Sequence, residues 1–352
     1  MPASFRVGLV GYGNGGATFH APLIASTDGL TLAAIVTNDP QRRQRAADTH
    51  PGVHLASGVA ELLDGAGRVD VLVVASPNRW HVAHAMAALD AGTDVVVDKP
   101  IAATAADARA LVAHADARGR LLTVFQNRRW DGDLLTVQRL LRERRLGTVH
   151  RFESRFERWR PVPRATWRER GAPEDAGGLL FDLGSHLVDQ ALVLFGPVAR
   201  VSAEVDYRRD DAVVDDDVFV ALEHTTGVRT HIWTTQLAAS PGPRFVVRGT
   251  SGSYVKWGLD VQEDALKRGE RPRDASWGTE PATAWGQVHD GTAAQAIETE
   301  RGDYGAFYRQ LVSALRGEGS APVDPRDAVA ALDVIEAARR SGIERRTVAL
   351  EG

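Results

Sequence analysis

The stretch Phe5-Arg6-Val7-Gly8-Leu9-Val10-Gly11-Tyr12-Gly13-Asn14-Gly15-Gly16 decides the fold. An apolar run, Phe5–Val10, meets a glycine-rich turn at once and then a segment of helical period. Gly11, Gly13 and Gly16 satisfy G-x-G-x-x-G. After a strand and before a helix, each glycine has a physical task. The first permits a tight turn, the second lets backbone approach a pyrophosphate, and the third lets helix pack close to strand. The helix N-terminus adds N–H donors and a partial positive charge. Glycine clusters also mark ordinary turns, and the strand–turn–helix setting favours a phosphate cradle that includes Asn14.

Working outward, apolar runs at 32–36, 71–74, 95–97 and 121–124 alternate with Ala-rich helical stretches. Continuous apolar strands between helices predict a parallel, doubly wound Rossmann sheet covered on both faces, over residues 1–125. The second strand ends near Thr37-Asn38, where an NAD-selective protein places an acid on the adenine ribose. Here stands Asn38, with Arg42 and Arg43 following. A 2′-phosphate is repelled less and can pair with arginine, so NADP is expected, with NAD as the alternative. In the competing reading Asp39 takes the ribose and both arginines are solvated.

The runs at 71–74 and 95–97 end in Ala75-Ser76-Pro77-Asn78 and Val97-Asp98-Lys99-Pro100. Ligands of open parallel sheets bind beyond the carboxyl ends of strands, so Ser76, Asp98 and Lys99 are expected at the cofactor crevice. Of 42 basic residues only Lys99, Lys256 and Lys267 are lysines. An ammonium can hydrogen-bond a reacting oxygen and pass on its proton, a task closed to guanidinium. A lysine after a strand is also a common surface residue. Asn78 and His81 are candidates for the nicotinamide pocket, or a helix cap and a helix-surface histidine.

From about Gly147 the pattern changes to longer strand-like runs at 149–157, 198–207, 218–224, 228–235 and 245–248. Turns such as Thr225-Thr226-Gly227 and Thr250-Ser251-Gly252 predict hairpins. The expectation for 126–352 is an α+β domain on a large, mostly antiparallel open sheet. A long loop is expected at 267–300, and helices near 303–316 and 325–340. Within Gly177-Gly178-Leu179-Leu180-Phe181-Asp182-Leu183-Gly184-Ser185-His186, Asp182 and His186 stand four apart. On a helix both face one way, so a carboxylate can orient an imidazole toward a substrate hydroxyl. Such a pair is also an ordinary helix contact. No third ligand at metal spacing accompanies it, so no metal is expected.

The totals bound the partners. A length of 352 residues accommodates two domains, and a net charge of -4 with interspersed signs draws neither nucleic acid nor anionic membrane. A small molecule is the expected partner. With no cysteine, disulfides and thiolate chemistry are excluded. No run of 18 apolar residues and no leader-like start are found, so the chain is expected in the cytoplasm.

The glycine loop, Val97-Asp98-Lys99-Pro100 and Gly178 through His186 together resemble the Gfo/Idh/MocA oxidoreductase family. Finer stretches at Phe19-His20-Ala21-Pro22-Leu23-Ile24, Gln126-Asn127-Arg128-Arg129-Trp130-Asp131-Gly132-Asp133, 241–245 and 258–264 resemble its NADP-dependent scyllo-inositol dehydrogenase branch. The resemblance implies hydride exchange between a nicotinamide and a cyclitol or sugar, with Lys99, Asp182 and His186 catalytic. It also implies a homo-oligomer, a dimer or tetramer, commonly formed through the open sheet. The family's usual Glu-Lys-Pro is Asp98-Lys99-Pro100 here, one methylene shorter. Arg128, Trp130, Arg155 and Trp159 are further substrate candidates, with packing between domains as the other reading of Arg128 and Trp130. Same-fold reductases of aldoses, imines or pyrroles differ only in the pocket, and a nicotinamide-binding sensor would not need all three catalytic groups.

Overall fold

A computed structural model describes residues 4–350. The chain forms two compact units. The first holds the residues up to Asn127 together with Gln262–Trp277 and Asp303–Val329, and the second holds Arg128–Val261, Gly278–Gly302 and the chain from Ala330 onward.

In the first unit six strands pair in parallel: β1 (Phe5–Val10), β2 (Leu30–Val36), β3 (His54–Ala56), β4 (Val71–Val74), β5 (Asp94–Asp98) and β6 (Leu122–Phe125). Their order is β3-β2-β1-β4-β5-β6, the reversal falling between β1 and β4. All four residues of β4 and of β6 are buried, as a sheet covered on both faces requires. The edge strand β3 is absent from the sequence reading because its three residues, one of them buried, show neither run nor alternation.

Two C-terminal segments belong to this unit, a departure from a contiguous split at residue 125. The helix Gly305–Leu315 explains it, since its buried Phe307 and Tyr308 rings lie 5.0 and 5.9 Å from that of Phe125. Thr123 Oγ1 likewise donates to the Val323 carbonyl at 2.8 Å. Apolar burial on a sheet face does not depend on chain distance, so no local pattern announces it.

The second unit is built on nine strands. They are β7 (Val149–Glu157), β8 (Val198–Asp206), β9 (Asp217–His224), β10 (Arg229–Thr235), β11 (Phe245–Gly249), β12 (Gly252–Lys256), β13 (Gly286–His289), β14 (Ala294–Ile297) and β15 (Val348–Ala349). Their order is β14-β13-β12-β11-β7-β10-β9-β8-β15, antiparallel except where β10 meets β7. Strict alternation sends Phe152, Ser154 and Phe156 of β7 to one face. On that face the helices Gly132–Arg142 and Ser185–Phe195 complete a core of Leu134, Val137, Phe152, Phe195, Phe245 and Val247. Each phenylalanine so buried contributes roughly 1.5–3 kcal/mol.

The expected loop at 267–300 instead contributes β13 and β14 to the sheet edge. Gly286 on β13 lets Tyr254 close in, since a Cβ there would meet its hydroxyl at 2.4 Å in the space the ring fills. Lys256 also finds its explanation here. Its Nζ donates to Trp257 O, Glu280 Oε1 and Ala284 O at 2.8, 3.1 and 3.0 Å, a fully buried slot shaped for a compact ammonium.

Candidate active site

In the first unit, β1, β4 and β5 are parallel neighbours, so the turns that follow them share one edge of the sheet. Gly11 has φ +97°, and a Cβ on it would sit 2.5 Å from Ala75 O. On Gly16 a Cβ would sit 2.0 Å from Gly11 O. Both glycines are therefore demanded by the chain's own packing. Gly13 is not: the nearest group to its missing Cβ is the Arg42 guanidinium, at 3.6 Å. Space kept open before bare backbone suits a pyrophosphate, so the residues present fit a dinucleotide. The helix leaving the cradle starts as a wide π turn, Gly15–His20, and tightens to α at Ala21–Ala25.

At the end of β2, Thr37 is buried and Asn38 exposed. Asp39 caps the helix Pro40–Thr49, its Oδ1 accepting Arg42 N–H at 2.8 Å. Arg43 spends its guanidinium on the carbonyls of Thr37, Leu55 and Ala56 at 3.0–3.1 Å, which removes it from the pair of arginines considered for a 2′-phosphate. Arg42 remains, facing the cradle.

The turn after β4 carries Ser76, whose hydroxyl lies 3.3 Å from His84 Nδ1, and the buried Asn78. His81 is buried too, its Nδ1 2.8 Å from Pro100 O and its Nε2 2.9 Å from Ser76 O. The imidazole thus ties the turn after β4 to the turn bearing Lys99, a positioning task. Lys99 is half-buried, precedes Pro100 through a cis peptide, and donates its main-chain N–H to Asp98 Oδ1 at 2.8 Å.

In the second unit Asp182 lies on a π turn, Leu180–Gly184, and His186 on the α-helix that continues it, Ser185–Phe195. The expected single α face is thus a π-to-α junction, a form that recurs at functional sites. His186 is 6% exposed, whereas the Asp182 side chain is 31% exposed with its Oδ1 3.4 Å from Arg168 Nε. Arg168 in turn stacks on Trp167, its guanidinium carbon 4.5 Å from the ring centre.

One residue that anchors this turn escaped the sequence reading. Asp215 accepts Leu180 N–H on Oδ2 at 2.7 Å and Leu179 N–H on its main-chain carbonyl at 3.0 Å. Burial pushes its carboxyl up to about 6 against those hydrogen bonds. Gly178 has φ +93° and must lack a side chain, because a Cβ would fall 2.0 Å from Asp215 Oδ1. In the sequence Asp215 is marked only by the acidic run 215–217.

The substrate candidates divide. Arg155 points to the opposite sheet face from Phe152 and Phe156, its guanidinium 3.9 Å from the Trp233 ring, and so turns away from the helix bearing His186. The period-two alternation of a strand decides that. Arg128 is buried, 4.8 Å over Phe156, in a network with Asp131, Gln190, Arg244 and Asp133. There burial drives the Asp131 carboxyl well up, opposed by Arg128 and reinforced by Asp260 and Asp133. Trp130 is half-buried, and Trp159 is 56% exposed. Among the described residues no three His, Asp or Glu side chains form a group that could hold a metal ion, and no helix is long and apolar enough to cross a membrane.

Residues 5–126 match the NAD-binding Rossmann fold of the GFO_IDH_MocA oxidoreductase family, and residues 138–350 match its C-terminal alpha/beta domain. The uncharacterized oxidoreductase YdgJ of Escherichia coli is 40% identical over 99% of this chain and 100% of its own. The scyllo-inositol 2-dehydrogenase (NADP(+)) IolW of Bacillus subtilis is 33% identical, over 99% and 96%. Among solved structures, the Bacillus subtilis yvaA protein superposes with a TM-score of 0.93 at 32% identity, covering 100% and 99% of the two chains. The chain therefore belongs to the Gfo/Idh/MocA family and is an NAD(P)-dependent oxidoreductase.

Proposed function

We propose that this enzyme is an NADP-dependent dehydrogenase of a cyclitol or sugar, with scyllo-inositol the first candidate substrate and NAD the poorer cofactor. The observation that carries the reading is Lys99, borne on the same sheet edge as the glycine cradle. A bound nicotinamide supplies the acceptor or donor of hydride. Lys99 hydrogen-bonds the alcohol oxygen, His186 takes the hydroxyl proton, and Asp182 orients the substrate and the imidazole. Support for the substrate class comes from relatives named for scyllo-inositol and, at 29% identity, for D-apiose. Support for NADP comes from Asn38 in place of an acid and from Arg42 facing Gly13.

The half-buried, aromatic face of the sheet, with Phe219 and Trp233 at ring separation 5.2 Å, joins a second copy in this reading, giving a dimer or tetramer. The test of function is nicotinamide absorbance at 340 nm with NADP and NAD separately, against inositol isomers and aldoses. Reduction of NADP by an inositol is the expected result. A tenfold or greater preference for NAD overturns the cofactor assignment, and turnover of aldoses alone moves the substrate.

A further inference from the structure

We propose that His20 and Tyr308 are positioning residues for Lys99: together they present an imidazole N–H to Asp98 and so fix the carboxylate that holds the Lys99 main chain. The proposal rests on the reading of Lys99 as the group acting on the substrate hydroxyl.

His20 closes the π turn that leaves the glycine cradle, and both it and Tyr308 are 0% exposed. Tyr308 Oη lies 2.6 Å from His20 Nδ1, His20 Nε2 lies 3.8 Å from Asp98 Oδ2, and the Phe125 ring packs on the imidazole at 4.3 Å. Hydrogen-bond accounting decides the tautomer. Burial and the nearby charge of Asp98 push the Tyr308 hydroxyl well up, so it stays a phenol with a proton to place. Nδ1 is the acceptor within reach, which leaves the imidazole proton on Nε2, facing Asp98. The reverse tautomer sets a lone pair against a carboxylate and strands a buried O–H, leaving a desolvated donor unsatisfied.

Asp98 is then hydrogen-bonded on one side and faced by the imidazole on the other. Its Oδ1 takes the Lys99 N–H, and its Oδ2 lies toward His20 and beneath Gly15, where a Cβ would stand only 2.8 Å away. Burial alone would raise this carboxyl, yet His20 first, then Lys99 and His81, draw it below the usual aspartate range, so it remains an anion. The chain Tyr308–His20–Asp98 ends on a phenol with no exposed surface, which makes it a brace and not a proton exit. The buried histidine of the Phe19-His20-Ala21-Pro22 stretch thereby gains a task that the cradle alone does not give it.

The test reads the tautomer first, by long-range 1H–15N NMR of the histidine-labelled protein, with His20 assigned by its loss in His20→Gln. Protonation on Nε2 with a bare Nδ1 is expected at pH 7.5, and a proton on Nδ1 overturns the proposal. The second readout is kinetic. Tyr308→Phe is expected to lower kcat about tenfold with KM for NADP unchanged. In a Lys99→Ala background it should lower the residual rate no further. Wild-type kcat in Tyr308→Phe, with Lys99→Ala slow, refutes the brace alone. Wild-type rates in Lys99→Ala refute the reading beneath it.

Discussion

Two π turns each lead into an α-helix, and they are built in opposite ways. Gly15–His20 follows a glycine cradle in which the backbone does the work and side chains are excluded. Leu180–Gly184 carries Asp182, leads into His186, and is pinned from outside by Asp215. The first turn is suited to hold a constant ligand part, a pyrophosphate, through N–H groups that any side chain would obstruct. The second presents side chains, and so can be fitted to a variable substrate. A backbone device leaves its glycines in the sequence. A side-chain device pinned by a distant residue leaves little.

The largest effects should come from the groups proposed to act on the substrate. Lys99→Ala and His186→Ala are each expected to cut turnover by roughly 10²–10⁴, with cofactor affinity unchanged in a binding titration. A loss of binding in either would assign that residue to the cradle and erase the division between the two turns.

Next come the glycines that packing demands. Gly11→Ala and Gly16→Ala drive a methyl into backbone and are expected to lose roughly 3 kcal/mol or more, read by denaturant unfolding. Equal stability of either with the wild type would contradict the close approach at Ala75 or at Gly11.

Asp215 sharpens the other side. Its folded-state carboxyl, at about 6, lies above the ordinary 3.8, so the folded protein holds that proton more tightly. Its contribution is therefore full below about pH 4 and is lost as pH rises through about 6, up to roughly 3 kcal/mol. Asp215→Asn keeps an acceptor for Leu180 N–H and should flatten that slope. Asp215→Ala orphans the donor and should cost about 1–3 kcal/mol below about pH 4, a deficit that shrinks as pH rises through about 6 because the variant has no carboxyl to ionise. Identical pH–stability curves for wild type and Asp215→Asn would contradict the raised carboxyl, and wild-type stability in Asp215→Ala would remove Asp215 as the pin. The smallest effect is expected at Arg42, where Arg42→Ala should lower the NADP-to-NAD ratio of kcat/KM about tenfold without changing kcat.

Much of the first unit was legible because each rule there is local. Strand runs, glycine spacing and the acid or amide at the end of β2 all lie within a few residues of what they decide. What escaped was the edge strand β3, too short to show a pattern, and what distance sets: the placement of the expected helix Gly305–Leu315 in the first unit, and β13 and β14 inside an apparent loop. In the second unit the motif around Asp182 and His186 was readable as letters, while its π geometry and its Asp215 anchor were not. Arg155 shows the same limit, because a strand sends neighbours to opposite faces and only the packed sheet reveals which face carries the helices.

The most direct test of the division of labour is a fluorescence titration of NADPH into Gly13→Ala and Asp182→Asn side by side. Gly13→Ala has room for its methyl within the chain, so it should unfold as the wild type does yet bind NADPH at least tenfold more weakly. Asp182→Asn should bind NADPH as the wild type does. Wild-type affinity in Gly13→Ala, or lost affinity in Asp182→Asn, would contradict the assignment of cofactor to the glycine turn and substrate to the other.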